Sequence, residues 1–110
     1  MPGYRIVTPK SEQLPGTTTA IYTVPASVHD AIVLAATAHN IDNSNATAIT
    51  VQINTQAGGL AIYEYEVIQP DGLYLCPGLV GQGLNVSDVI QAFAGAPNDI
   101  NFRLTIKENF

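Results

Sequence analysis

Four side chains able to bind a metal, His29, Asp30, His39 and Asp42, stand close together in the sequence. Histidine and carboxylate ligands grouped in this way could hold a divalent ion. The element between them decides whether they can meet. On a strand, the ten residues from His29 to His39 span roughly 30 Å. On a helix they span about 15 Å. Both distances are too long for one ion, which leaves a local pair such as His39 with Asp42, or a site shared between subunits. Ser27, His29 and Asp30 are too close along the chain to converge as a catalytic triad, and no nucleophile-elbow sequence is present. Glu64 and Glu66 fall on one face of a candidate strand, about 7 Å apart, a spacing compatible with paired-carboxylate chemistry. That chemistry needs a pocket fed by other strands, and two solvated carboxylates on an outer face are the simpler expectation. Cys76, beside Pro77, has no basic neighbour to lower its pKa and reads as an inert, partly buried thiol. The glycines at 78, 81 and 83 do not make a phosphate loop, because no Lys-Ser/Thr follows and no parallel βα unit surrounds them. The expectation is a protein with no catalytic residue, no cofactor and no metal. Tyr4, Tyr22, Tyr63, Tyr65 and Tyr74 could stack on sugars, but without tryptophan they fit core packing and subunit contact better.

The elements that would position these residues read mostly as strands. Ala20–Val24 is β-branched and aromatic and is stopped by Pro25. Ala31–Ile41 is open to two readings. Ser27-Val-His-Asp30 resembles a helix capping box and the alanines favour a helix. Yet the run is apolar all round without a clean 3.6 period, as in a strand covered on both faces. If it is a strand, the Asp42–Asn45 break makes it an antiparallel partner for Thr47–Ile53. In Thr47–Thr55, Ile49, Val51 and Ile53 alternate with polar residues. Gln56-Ala-Gly-Gly59 is a turn signal, so this segment and Leu60–Gln69 form a hairpin. Ala61, Tyr63, Tyr65 and Val67 are expected on one face of its second strand, and Leu60, Ile62, Glu64, Glu66 and Ile68 on the other. A short strand at Leu73–Cys76 follows, then a glycine-rich loop whose Leu79, Val80 and Leu84 should lie along the sheet. Val89–Ala94 fits a short strand better than a capped helix. Ile100, Phe102, Leu104 and Ile106 alternate with Asn101, Arg103, Thr105 and Lys107 in the cleanest amphipathic strand of the chain. Turn signals every 8–12 residues point to an all-β antiparallel sandwich, jelly-roll-like, of about eight strands.

Composition narrows the class of function. Length gives one domain. Apolar residues make up 46% and charged residues 12%, about half the usual charged share of roughly 25%. Neutral surface of this extent is what subunit interfaces use. A net charge of −5 with four cations, Arg5, Lys10, Arg103 and Lys107, excludes a phosphate-neutralising body and disfavours an anionic membrane surface. No apolar run reaches membrane-span length. Cys76 is the only cysteine, so there is no internal disulfide. Met1–Arg5 lacks a signal-peptide apolar region, and assembly in a cytoplasm is expected.

Residues 1–18 hold three prolines and two glycines. Within them Tyr4–Thr8 could be an edge strand, bracketed by prolines, and the rest is expected to have no regular structure. We expect an extended arm over 1–18 and a sandwich over 19–110, with Tyr4, Ile6 and Val7 as partner-binding residues that add a strand to a neighbouring subunit.

The order of Ala20-Ile-Tyr-Thr-Val-Pro25, Ala31-Ile-Val-Leu-Ala-Ala-Thr-Ala38, the Ile-Thr-Val-Gln-Ile53 strand, Leu79-Val80, Asn85-Val-Ser-Asp88 and the closing Ile106-Lys-Glu108 resembles the small β-sandwich virion structural proteins of tailed bacteriophages. Ser87 stands where that pattern has glycine. The resemblance covers roughly residues 19–108 and favours a strand at Ala31–Ile41. It implies a virion location and a non-enzymatic role in head decoration (cement), the neck or the tail. It also implies a homo-oligomer, a trimer above all, that binds a major capsid or other virion protein. A carbohydrate-binding module is the alternative, resting on Tyr63 or Tyr65.

Overall fold

The computed structural model describes residues 3–8, 12–55 and 58–110. Its strands are β1 (Tyr4–Val7), β2 (Glu12–Gln13), β3 (Thr19–Thr23), β4 (Asp30–Asn40), β5 (Thr47–Thr55), β6 (Gly59–Ile68), β7 (Leu73–Tyr74), β8 (Gly83–Asn85), β9 (Val89–Ala94) and β10 (Ile100–Asn109). No helix occurs among the described residues. One sheet runs β1-β10-β4-β7, with β2 pairing the other half of β10 and β8 the other half of β4; the second runs β3-β9-β5-β6. Every pairing is antiparallel. Counting β1 with β2 and β7 with β8 as single lanes, the chain fills two four-lane sheets and crosses between them repeatedly. This is the jelly-roll order, and the fold is an antiparallel β-sandwich as expected.

The ambiguous segment is strand β4, and its pattern has a local cause. The β4–β10 register shifts so that Thr105 pairs Ala35 while Ile106 pairs Val33, leaving Leu34 as an extra residue. Val33 and Ala36 are therefore both buried, although they are an odd number of positions apart. That bulge erased the period of two from the sequence. Residues 26–29 form a turn, and Asp30, the first residue of β4, accepts a hydrogen bond from Asn109 Nδ2. The expected pairing of Ala31–Ile41 with Thr47–Ile53 does not occur. β4 and β5 lie in different sheets, because the Asp42–Asn45 turn carries the chain across the sandwich rather than folding it back.

The β5–β6 hairpin forms, from Thr47 with Ile68 to Thr55 with Gly59. Gly59 has φ 76°, where glycine avoids strain; Gln56 and Ala57 of the turn lie outside the described residues. A second bulge, at Tyr63, lets Val51 face Glu64 while Gln52 faces Ile62. It corrects the expected faces. Leu60, Ile62, Tyr65 and Val67 point outward, whereas Glu64 and Ile68 point to the core.

The expected strand at Leu73–Cys76 stops at Tyr74, since Cys76 takes φ 47° and starts a turn. Leu79 and Leu84 are buried and Val80 is exposed. Ser87 adopts φ 72°, so the turn before β9 keeps a left-handed residue where the resemblance has glycine.

Between the sheets lie Ile49, Val51, Ile90, Phe102, Leu104 and Ile106, all essentially inaccessible. Leu14 is buried with them, and its carbonyl accepts from Asn98 N–H. Glu12–Gln13, for which no regular structure was expected, pairs with Phe102 and Asn101. β1 lies along β10 of the same chain, Tyr4 opposite Asn109 and Val7 opposite Ile106. Met1, Pro2, Pro9, Lys10 and Ser11 lie outside the described residues.

Candidate functional site

Each lateral flank of the sandwich is closed by a buried glutamate that accepts a tyrosine hydroxyl from the opposite sheet. On the β6–β7 flank the Tyr63 bulge turns Glu64 inward. Its Oε1 accepts from Tyr74 O–H at 2.5 Å and its Oε2 from Leu79 N–H at 2.9 Å. Gly78 sits against this pair. A Cβ there would lie 2.7 Å from the Tyr63 carbonyl oxygen and 2.9 Å from Glu64 Oε2, so only glycine fits without a shift. The hydrogen bond to Glu64, followed by burial, pushes the Tyr74 hydroxyl well above its ordinary pKa. Burial, with the nearby Glu64 charge, pushes the Cys76 thiol up to about 12.

On the β1–β3 flank Glu108, 2% exposed, accepts from Arg5 Nε through Oε1 and from Tyr22 O–H through Oε2. Burial alone would raise the Glu108 pKa. The Tyr22 hydroxyl and the Arg5 guanidinium outweigh burial and hold it below the ordinary carboxylate value. The Tyr22 hydroxyl is raised, by burial first and then by Glu108.

The outer faces of the two sheets differ in charge. Registers on the four-stranded sheet place Gln91, Gln52 and Ile62 in one outward row, Phe93, Thr50 and Tyr65 in the next, and Val89, Asn54 and Leu60 in a third. None of these side chains is charged. Gln52 donates to Gln91 within the face, at 3.2 Å. At its margin β6 exposes Leu60 (58%), Ile62 (65%), Tyr65 (66%) and Val67 (48%). β6 is ten residues long, pairs only with β5, and carries neither lysine nor proline. Long apolar edges of this kind invite pairing with another chain. Leu73 and Leu75 are exposed along the neighbouring edge. Covering the four β6 side chains would yield on the order of 4–6 kcal/mol by area. Association costs about 4–15 kcal/mol, so the open main-chain edge must contribute as well. The six-stranded sheet, by contrast, carries Arg103, Lys107 and Asp30 on its outer face, as the register with β4 shows.

The residues singled out for chemistry do not converge. His29 precedes β4 and is exposed, whereas His39 lies at the far end of that strand. Asp42 is committed to its own turn, where Ser44 and Asn45 N–H groups hydrogen-bond its carboxylate and hold its pKa low. No group of three or more His, Cys, Asp or Glu suited to a metal occurs among the described residues. Glu64, expected in solvent, is instead buried and hydrogen-bonded through both oxygens, so it does not pair with exposed Glu66. Cys76 is buried. Tyr63 is half-buried against the core and Tyr65 is exposed, so of the two rings on β6 one faces solvent.

Tyr4 and Ile6 project from the outer side of β1, 65% and 51% exposed, and Val7 packs against the core. Sequence reasoning missed Glu108. The signal was present: continuing the alternation of Ile100, Phe102, Leu104 and Ile106 by one step places Glu108 on the core face.

No protein family matches the sequence, and no curated protein matches it. The fold is similar to a subunit in a structure described as Bacillus endospore appendages that form a family of disulfide-linked pili, with TM-score 0.56 and 10% identity, covering 99% of this chain and 87% of that one. PirA aligns with TM-score 0.47 and 16% identity, over 96% of this chain and 92% of that one. A capsid chain of the infectious bursal disease virus T13 particle aligns with TM-score 0.43 and 9% identity, over 97% of this chain and 31% of that one. At these identities the similarity to the appendage subunit is one of fold.

Proposed function

We propose that this protein is a non-enzymatic structural subunit of a virion or pilus-like assembly, acting by self-association and by packing against a neighbouring structural protein. The observation that carries this is the uncharged outer face of the four-stranded sheet, bordered by the exposed apolar edge strand β6. An appendage subunit sharing the fold supports a polymerising role. Cys76 is buried, so the contacts here are apolar and main-chain rather than disulfide.

Within that role, the resemblance to phage virion proteins supports decoration of a capsid or tail, a trimer as the oligomer, and a major capsid protein as the second partner. Of the arm residues Tyr4, Ile6 and Val7, we assign the exposed Tyr4 and Ile6 to contact between copies, since Val7 packs against the chain's own core. Light scattering at micromolar concentration tests the reading. Species larger than one chain are expected, and Ile6→Lys, at an exposed position of β1, should weaken them. A wild type that is monomeric at that concentration would overturn it.

A further inference from the structure

The two flanks differ in a way that makes them fit each other. The β6–β7 flank presents apolar Ile62 and Tyr65 and the exposed carboxylate of Glu66. Glu66 stands beside a notch of about 210 Å³ between β6 and β7, walled by Val67, Leu73 and Tyr74. The β1–β3 flank presents apolar Tyr4 and Ile6 together with cations. Lys107 Nζ lies 4.7 Å from the centre of the Tyr4 ring, and Arg5 lies 5.0 Å from that of Phe110. Lys107 points out of the six-stranded sheet opposite Ile6, and its ammonium leans over Tyr4 of the edge strand β1.

We propose that copies of this chain assemble head to tail, the β6–β7 flank of one copy packing on the β1–β3 flank of the next. This rests on the self-association reading above and names its partner and its direction. Charge selects the pairing. Two β6 edges meeting about a two-fold axis would bring acid toward acid, whereas the opposite flank offers Lys107 to the Glu66 side, beside an Arg5 already paired with Glu108. The strands agree with this, since β6 and β3 are the two open edges of the same four-stranded sheet. A contact made by two different patches of one chain is heterologous. It closes into a ring or continues as a filament, and a ring of three is the trimer named above.

The test uses the full chain with Glu66→Lys and Lys107→Glu, each confirmed folded by thermal melting, with Glu66→Gln as a milder second variant. By sedimentation velocity the wild type is expected to form rings or longer chains. Each charge-reversed variant alone should associate at least tenfold more weakly, and Glu66→Gln by an intermediate amount. An equimolar mixture of the two reversed variants should recover association, because the β6–β7 flank of each variant then meets a β1–β3 flank of opposite charge on the other. A mixture that stays dissociated while both variants are folded overturns the head-to-tail mode. So does a wild type that stops at a two-fold dimer indifferent to Lys107→Glu, although self-association itself would then stand. A monomeric wild type overturns both.

Discussion

The two flanks use the same device with different supporting groups. Glu64 and Glu108 are both buried, and each accepts a tyrosine hydroxyl across the sandwich. Glu108 adds a cation, Arg5, which is half in water. Glu64 adds only a backbone N–H, that of Leu79. The β1–β3 flank is therefore closed by an ion pair reaching solvent, and the β6–β7 flank by a network without a cation, held within the core. This difference matters for assembly. The flank with the apolar edge is braced beneath its surface, so β6 can offer a fixed template to another chain. The other flank ties the arm strand to the body through one side chain.

Removing the carboxylates should expose the contrast most strongly. Glu64→Ala leaves the Tyr74 hydroxyl without its partner and takes one of two acceptors from Leu79 N–H, which keeps the Cys76 carbonyl, at a cost of roughly 2–5 kcal/mol. Glu108→Ala should cost less, about 1–3 kcal/mol, since Arg5 can turn to water. Urea unfolding of both variants measures the order. Equal losses would mean that the cation contributes nothing to the difference.

Truncating the donors is the next smaller step. Tyr74→Phe is expected to cost about 1–3 kcal/mol and Tyr22→Phe less, because Glu108 keeps Arg5 after losing the hydroxyl. The same urea titrations read both.

The β1–β3 flank should also respond to acid. The native pKa of Glu108 lies below its ordinary value, so its contribution to stability is complete above the usual glutamate range. It is lost as pH falls through the depressed native value. Thermal melts between pH 6 and pH 2 should therefore show a shallower acid limb for Glu108→Gln than for the wild type.

Much of this was legible in the sequence, for identifiable reasons. β10 alternates without interruption, and its buried face follows from period two alone; β5 buries Ile49, Val51 and Ile53 as that period predicts, but also Thr50 and Gln52 of the face expected to be wet. β4 and β6 each contain a bulge, at Leu34 and at Tyr63, and one extra residue reverses every later side chain. The helix-like look of Ala31–Ile41 and the misplaced faces of β6 have this common origin. Which strands pair was less accessible, because β4 meets β10 from the other end of the chain and β5 meets β9 across the intervening β6, β7 and β8. The exposed edge could not be seen without that order. Glu108 was within reach, as the next step of a clear alternation.

The smallest effects concern single surface positions. Asp71→Gly should stabilise the protein by up to about 1 kcal/mol, because it relieves a left-handed backbone at φ 57°. A thermal melt reads this directly. Ile62→Lys should leave monomer stability within about 0.5 kcal/mol while abolishing association.

Concentration-dependent hydrogen exchange tests the central claim most directly. Comparing dilute and concentrated protein, we predict added protection on β6 and β3, with the strands β4 and β10 unchanged. Added protection confined to β4 and β10, or none on any strand, would contradict the assignment of the β6 edge as the assembly surface.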